Sequence, residues 1–430
     1  MRSRARGTIG PVDQRAVRQH NLGLVLRHVA HHGERSRARI AAETGLNKTT
    51  VSSLVAELIE RRLLCETGMD SGGSVGRPGR RIQLAADGVA GLGLELGEWH
   101  LGACAVDLSG RVRHSTSSAW DKRATSPDEC IARLAALAEE LLASLGVEGL
   151  TPAGMTVALP GLVDIARGTL FVAPNLGWSE VRVADLLREH LHAVDFPIHV
   201  DNDANLGALA ELREGVGRQL RDFVYVFGEN GTGVGAGIIA AGELLRGPSG
   251  FGGEIGHMPL ARRGPMCSCG NRGCLEVLAG RDALFRLAGL DGYGHGDGSE
   301  EAAHAELLAR ARTHDPRTMR ALGEISRALA TGMTSIANLL SPEAIVLGGY
   351  FATLAEWLVP RIERELADHV LGSRWSSCRV LVSTIGERAA VRGAAALALH
   401  EVLANPTLVP AARSSLPRAP LSAEPAAVVA

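Results

Sequence analysis

Between Gly253 and Glu276 the chain gathers one histidine and three cysteines in a short, glycine-rich run. It reads Gly253-Glu254-Ile255-Gly256-His257, then Cys267-Ser268-Cys269-Gly270-Asn271-Arg272-Gly273-Cys274-Leu275-Glu276. One imidazole and three thiolates make a complete tetrahedral donor set for a structural Zn2+, with no position left for a catalytic water. Gly270 and Gly273 let the backbone bend around an ion. Buried inert thiols, or a redox pair, are the other reading of the same cysteines. Closing such a site needs no carboxylate, so Glu254 and Glu276 are left to face a ligand, and a polyhydroxylated one suits them.

A G-E-x-G-H box followed by C-x-C-G-x-x-G-C-x-E resembles the signature of the ROK family of sugar kinases and sugar-responsive repressors. His257, Cys267, Cys269 and Cys274 match its zinc positions without a gap. The resemblance implies a two-lobed actin/hexokinase-like, duplicated ribonuclease-H-like fold over residues 88–404. It also implies sugar contacts at Asn202, Glu254, His257 and Glu276, with Asn175 of Pro174-Asn175-Leu176-Gly177-Trp178 a further candidate in the same cleft. In the family's kinases the Asp of an Asn-Asp pair takes the proton from the sugar hydroxyl, and Asp203 holds that position here. Capping of its own helix is the plainer role for Asp203, and a solvated helix carboxylate the plainer role for Glu276. His257 can bind zinc through one nitrogen and offer the other to sugar.

The elements that must position these residues follow from patterning. Residues 91–97, 101–107 and 111–118 read as strands, followed by a helix over 127–145. Val157-Ala158-Leu159-Pro160-Gly161 reads as a strand entering a loop. Ile198-His199-Val200 leads into Asp201-Asn202-Asp203-Ala204-Asn205 and a helix to about Glu214, which puts Asn202 and Asp203 where a strand ends and a helix begins. Residues 223–227 and 235–239 are paired strands, and residues 345–349 a later strand running into a glycine turn. Two hairpin-plus-helix lobes in tandem imply a duplicated α/β fold with a cleft.

The family's kinases hold ATP partly through an Asp-x-Gly-Gly-Thr hairpin. The matching place here is Glu95-Leu96-Gly97-Glu98-Trp99-His100. Glu98 repels phosphate oxygens and Trp99 crowds a turn that needs close backbone approach, which argues against phosphoryl transfer. A second loop, Gly231-Thr232-Gly233-Val234-Gly235, offers backbone N–H groups to an anion, and equally the glycines of a hairpin with no nucleotide. No nucleotide is expected.

The first 90 residues differ in charge from the rest. They hold 15 Lys and Arg against 8 Asp and Glu, whereas the remainder holds 30 against 39. A basic module on an acidic body implies that only the first part meets a polyanion. Leu22, Val25, Leu26 and Val29 form one helical stripe. Ser36, as N-cap, opens a short helix that ends at Thr44-Gly45-Leu46. Asn47 then caps a helix that buries Val51, Leu54, Val55, Leu58 and Ile59 and presents Lys48, Thr49, Thr50, Ser52 and Ser53. Leu63–Glu66 and Ile82–Leu84 bracket a Gly-Arg-Pro-Gly-Arg wing. This layout is that of a winged helix-turn-helix with residues 47–60 as recognition helix, and it resembles that of ROK repressors. The alternative is a small docking domain with a solvated basic loop. Candidate DNA contacts are Arg37, Asn47, Lys48, Thr49, Thr50, Ser52, Ser53, Arg77, Arg80 and Arg81.

The chain has 430 residues, 46% hydrophobic but only 3% aromatic, so the core is aliphatic. Seven cysteines, an odd number with three clustered, fit a reducing cytoplasm better than a disulfide framework. No apolar run suits a membrane, and the Arg-rich start has no signal-peptide core. The expected organisation is a disordered basic arm (1–14), the winged helix-turn-helix (15–87), lobe 1 (88–201), lobe 2 with the zinc site (202–387), a C-terminal helix packing on lobe 1 (388–404) and a disordered tail (405–430). The expected function is a sugar-responsive DNA-binding regulator, a repressor of carbohydrate uptake or catabolism genes, and not an enzyme. An ATP-dependent sugar kinase fused to a DNA-binding domain is the runner-up. Expected partners are an operator duplex, a sugar or sugar phosphate, a second copy or a tetramer, and a protein of sugar transport.

Overall fold

A computed structural model describes residues 13–69, 80–120, 125–191, 194–228, 233–290 and 299–411. The chain forms two compact units, one of Met1–Leu84 with Asn405–Ala430 and one of Ala85–Ala404.

In the first unit, α1 (Gln14–His32) starts at Asp13, whose carboxylate accepts from the Arg15 N–H at 3.1 Å. The two-residue β1 (Arg35–Ser36) leads into α2 (Arg37–Thr44). Ser36 occupies the N-cap position, but its hydroxyl makes no capping bond. Gly45 turns the chain with φ of 75°, in the left-handed region that glycine enters without strain. Asn47 then caps α3 (Lys48–Glu60), its Oδ1 accepting from the Thr50 N–H at 2.7 Å. Val51, Leu54, Val55 and Leu58 are fully buried, each worth about 1.5–3 kcal/mol on leaving water, while Ile59 is only half-buried. The strands β2 (Leu64–Met69) and β3 (Arg80–Leu84) pair antiparallel in a sheet of order β1-β3-β2.

The tail does not begin where composition placed it. Asn405 caps a 3-10 turn, Pro406–Leu408, which packs against α1, and Val409 is buried with its carbonyl accepting from Arg61. Pro406 pre-sets the turn and Val409 supplies an apolar anchor, so these residues have a reason to order. The rest of the tail from residue 412, residues 1–12 of the basic arm and the wing tip with Arg77 lie outside the described residues.

The second unit is built from two sheets of one design. In chain order the first half holds β4 (Val89–Leu96), β5 (His100–Asp107), β6 (Val112–Ala119), α4 (Pro127–Glu148) and β7 (Thr151–Leu159). Next come β8 (Leu162–Asp164), β9 (Thr169–Ala173), β10 (Trp178–Val181), α5 (Val183–His190), β11 (Ile198–Asn202) and α6 (Asp203–Arg213). The second half holds β12 (Phe223–Gly228), β13 (Val234–Ala240), β14 (Glu243–Leu244), α7 (Leu275–Ala279), α8 (Arg281–Ala288), α9 (Ser299–Arg312) and α10 (Pro316–Leu340). It closes with β15 (Ala344–Gly349), α11 (Tyr350–Thr353), α12 (Ala355–His369), β16 (Arg379–Val382) and α13 (Ala389–Ala404).

The sheet orders are β6-β5-β4-β7-β11 and β14-β13-β12-β15-β16. In both, the first three strands are antiparallel and the next two join in parallel. The duplicated α/β fold expected from the sequence is therefore present strand for strand. A small antiparallel sheet, β10-β9-β8, was not anticipated.

Every residue of β4 is buried, because α4 and α13 both pack on its sheet. The approach of α13 explains two glycines. A Cβ at Gly91 would lie 2.2 Å from the Ala395 carbonyl, and one at Gly93 would lie 2.0 Å from that of Val391. At Gly393 a Cβ would meet the Leu206 carbonyl at 1.9 Å, so α13 also touches α6 backbone to backbone. No helix among the described residues is long and apolar enough to cross a membrane.

Candidate metal centre and ligand site

The Glu254–His257 box lies on β13 with no room for side chains at its glycines. A Cβ at Gly256 would sit 2.0 Å from the Val234 carbonyl, and one at Gly253 2.4 Å from that of Ala236. Gly273 (φ 64°) passes equally close to Ala261, and a Cβ there would lie 1.8 Å from its carbonyl. These contacts fold the cysteine loop back on the box.

The ligand atoms of His257, Cys267, Cys269 and Cys274 come within 4.8 Å of one another. Cys269 and Cys274 hold their Sγ atoms 3.8 Å apart, and His257 Nδ1 is 3.6 Å from Cys267 Sγ. A tetrahedral zinc with ~2.3 Å bonds to sulfur and ~2.0–2.1 Å to nitrogen separates its ligands by roughly 3.5–3.8 Å. Burial pushes the Cys267 and Cys274 thiols up, whereas, against burial, hydrogen bonds from the Asn271 backbone and the neighbouring thiols lower that of Cys269, and holding all three as thiolates would take a cation among them. The residues fit a structural metal ion.

Asn175, Glu254 and Glu276 of the candidate sugar residues lie around this cluster. Glu276, on the first turn of α7, is 5% exposed, which excludes a solvated helix carboxylate. Its Oε1 lies 2.9 Å from Cys267 Sγ and 3.6 Å from His257 Nδ1, so part of this carboxylate faces the cysteine cluster. Ser268 donates to Asn175 Oδ1 at 2.7 Å and to Glu276 at 3.4 Å, joining the β9–β10 turn to the cysteine loop. Burial pushes the Glu254 carboxyl up, with His257 opposing and Glu276 adding to the rise.

Asn202 and Asp203 stand at the start of α6. The N-cap is Asn202, not Asp203: its Oδ1 accepts from the Asn205 N–H at 3.1 Å and its Nδ2 donates to the Gly161 carbonyl at 3.1 Å. Asp203, 9% exposed, accepts from the Ala204 N–H at 2.7 Å. Their helix packs on β13, where a Cβ at Gly237 would meet the Ala204 carbonyl at 2.5 Å. Sequence reasoning assigned no role to Ser268, to Asp201 or to Arg246. Asp201 could have been found as the first carboxylate of Asp-Asn-Asp, and Arg246 as the lone charge in Leu244-Leu245-Arg246-Gly247.

The hairpin that matches the kinase phosphate motif is filled with side chains. Glu95, Glu98 and Trp99 are all buried. His100 folds back so that a Cβ on Gly97 would meet its ring at 2.3 Å, and its Nε2 lies 3.4 Å from Glu95. Trp120 closes the turn by donating to the Gly97 carbonyl at 3.0 Å, and its ring lies 5.9 Å from that of Trp178. At the ends of β12 and β15, Tyr350 lies against Gly228, where a Cβ would be 2.0 Å from its ring. Of the second loop, Gly231 and Thr232 lie outside the described residues, while Gly233 and Gly235 flank the start of β13.

In the first unit, Lys48, Thr49, Ser52 and Ser53 are exposed on one face of α3, and Thr50 is half-buried. Three of the candidate arginines hold carboxylates of their own unit. Arg37 and Arg80 both pair with Glu66, at 2.7 and 2.6 Å, and Arg81 pairs with Glu34 at 2.9 Å. Arg18 reaches Ser53 Oγ at 3.3 Å.

Comparison with known proteins agrees with this division. The ROK family pattern matches residues 91–401, and the MarR family pattern matches residues 23–71. The xylose repressor of Bacillus spizizenii is 28% identical over 91% of this chain and 98% of its own length. A solved ROK family transcriptional regulator, a homolog of the E. coli Mlc protein, superposes with a TM-score of 0.75 at 25% identity, over 91% of this chain and 98% of that one. A ROK family glucokinase from Streptomyces griseus, solved with glucose and AMPPNP, superposes with a TM-score of 0.61 at 28% identity. It covers 72% of this chain and 99% of its own.

Proposed function

The chain belongs to the ROK family, and on that premise we propose that it is a sugar-responsive transcriptional repressor of carbohydrate uptake or catabolism genes. The observation that carries this reading is the exposed polar face of α3, in a winged unit that likeness to the repressors includes and likeness to the glucokinase leaves uncovered. In this reading residues 15–87 read DNA, and residues 88–201 and 202–387 are the lobes that bind the sugar. Lys48, Thr49, Ser52 and Ser53 enter a major groove. Two copies place their recognition helices about one helical turn (~34 Å) apart, or a multiple of it.

Zn2+ bound by His257, Cys267, Cys269 and Cys274 would act structurally, holding the His257 ring in place. Asn175, Asn202, Asp203, Glu254 and Glu276 would meet the sugar hydroxyls, because carboxylates and amides accept and donate in the geometry such a ring presents. Sugar that prefers one arrangement of the lobes shifts operator occupancy by its differential affinity, ordinarily about 1–3 kcal/mol. The kinase reading keeps Asp203 as its strongest support. Glu98, Trp99 and Tyr350 speak against it, since they fill the turns through which phosphates would pass.

The test is selection of genomic fragments by the purified protein at one fixed salt concentration. Enrichment of a palindromic site that D-xylose or D-glucose releases supports the repressor. Diffuse, salt-sensitive binding alone sinks it.

A further inference from the structure

One buried carboxylate joins the start of α6 to the loop that leads to Glu254. Asp201, at the end of β11, is 1% exposed. Its Oδ1 accepts from the Asn202 N–H at 2.8 Å and from Asn205 Nδ2 at 3.3 Å, which fixes the first turn of α6. Its Oδ2 receives Arg246, through Nε at 3.2 Å and through Nη2. Arg246 opens the loop that ends at Glu254. That loop holds Gly247 (φ 70°), Gly250 (φ 82°), Gly252 and Gly253 (φ 105°), and the Gly252 N–H donates to the Arg246 carbonyl at 2.8 Å, so the loop's course is set from Arg246. Further along it, Phe251 meets Phe171 of β9 edge to face, with centroids 5.8 Å apart.

We propose that Asp201 and Arg246 are positioning residues of the ligand site. Through one ion pair they hold the Asn202–Asp203 wall and the Glu254–His257 wall at a fixed spacing. Two guanidinium N–H groups converge on Oδ2 while Oδ1 is held by Asn202 and Asn205, so both ends of the carboxylate are fixed. The pair stands at the residue before Asn202 on one side and eight residues before Glu254 on the other. Losing it would let the glycine-rich loop drift, and misplacement by ~1 Å is enough to weaken a multi-point site substantially. The proposal rests on the sugar-binding reading given above.

The experiment measures D-xylose and D-glucose binding to the full-length, zinc-loaded protein by calorimetry, in the wild type and in Arg246→Gln, Arg246→Lys, Asp201→Asn and the Asp201→Asn/Arg246→Gln double variant. Operator affinity without sugar and zinc content are measured on each. The expected result is about tenfold weaker sugar binding in Arg246→Gln. Arg246→Lys should lie between it and the wild type, and the double variant should be no weaker than the poorer single one. Zinc content and operator affinity should be unchanged. Wild-type sugar affinity in Arg246→Gln overturns the proposal. So does a parallel loss of zinc or operator binding, because the pair would then hold the fold at large. A wild type that binds neither sugar overturns the sugar-responsive reading itself, and this proposal with it.

Discussion

Cys269 and Cys274 hold their sulfurs 3.8 Å apart, too far for a disulfide and at the spacing of two thiolates on one tetrahedral ion. The purified chain should therefore carry about one zinc per copy by elemental analysis. Cys274→Ser, which removes a fully buried ligand, should lower zinc affinity by at least tenfold and weaken sugar binding in step. Full sugar affinity in a zinc-free Cys274→Ser protein would separate the metal from the ligand site.

The filled hairpin predicts no sugar-dependent ATP consumption with D-glucose or D-xylose, followed by release of ADP. Glu98→Gly with Trp99→Thr would empty the turn that His100 and Trp120 now close. Measurable turnover in that double variant, absent from the parent, would tie the loss of catalysis to these two side chains.

Lys48 begins α3, and its side chain is exposed where a duplex phosphate could meet it. Lys48→Ala should weaken binding to all DNA sequences alike and reduce the slope of log K against log salt by about one unit. Ser52→Ala should instead act on specific sites. Equal slopes for wild type and Lys48→Ala would move the phosphate contacts elsewhere.

Glu43 lies among Arg39, His28 and Arg35, whose hydrogen bonds lower its pKa from 4.5 to about 2. A depressed folded-state value means the folded unit holds the carboxylate while the unfolded chain takes up a proton. The contribution is thus full above pH 4.5 and is lost as the pH falls toward 2. Glu43 is solvent-exposed, so the effect is small. Melting temperatures of wild type and Glu43→Gln should differ at neutral pH and converge on acidification.

Much of this organisation could be read from side-chain spacing. Asn47, Val51, Leu54, Val55 and Leu58 define α3 because one helical period sets both cap and buried face. The His/Cys cluster was legible because its four residues lie within eighteen positions of chain, from His257 to Cys274. What escaped depends on contacts distant in sequence. Arg246 meets Asp201 across 45 positions, and no local pattern announces such a pair. The sheet β8–β10 is made of strands of three to five residues, too short for alternation to stand out. Asn405–Val409 looked like tail because composition is blind to a single buried valine and the carbonyl that Arg61 finds.

Removal of the chain after Ala404 should cost the winged-helix unit about 1.5–3 kcal/mol through loss of the buried Val409, read as a lower melting temperature. Unchanged melting would mean that the segment only rests on α1.

The placement of Asn405–Val409 has a temporal side as well. The winged-helix unit draws on segments that lie before and after the body, with about 320 residues between Leu84 and Asn405. At ~5–20 residues per second, a ribosome needs roughly 15–65 s to make that stretch. The reader head emerges first but receives its final buried valine only when the body has been synthesised. A newly made chain thus completes its DNA-reading unit only after the part that senses the ligand already exists.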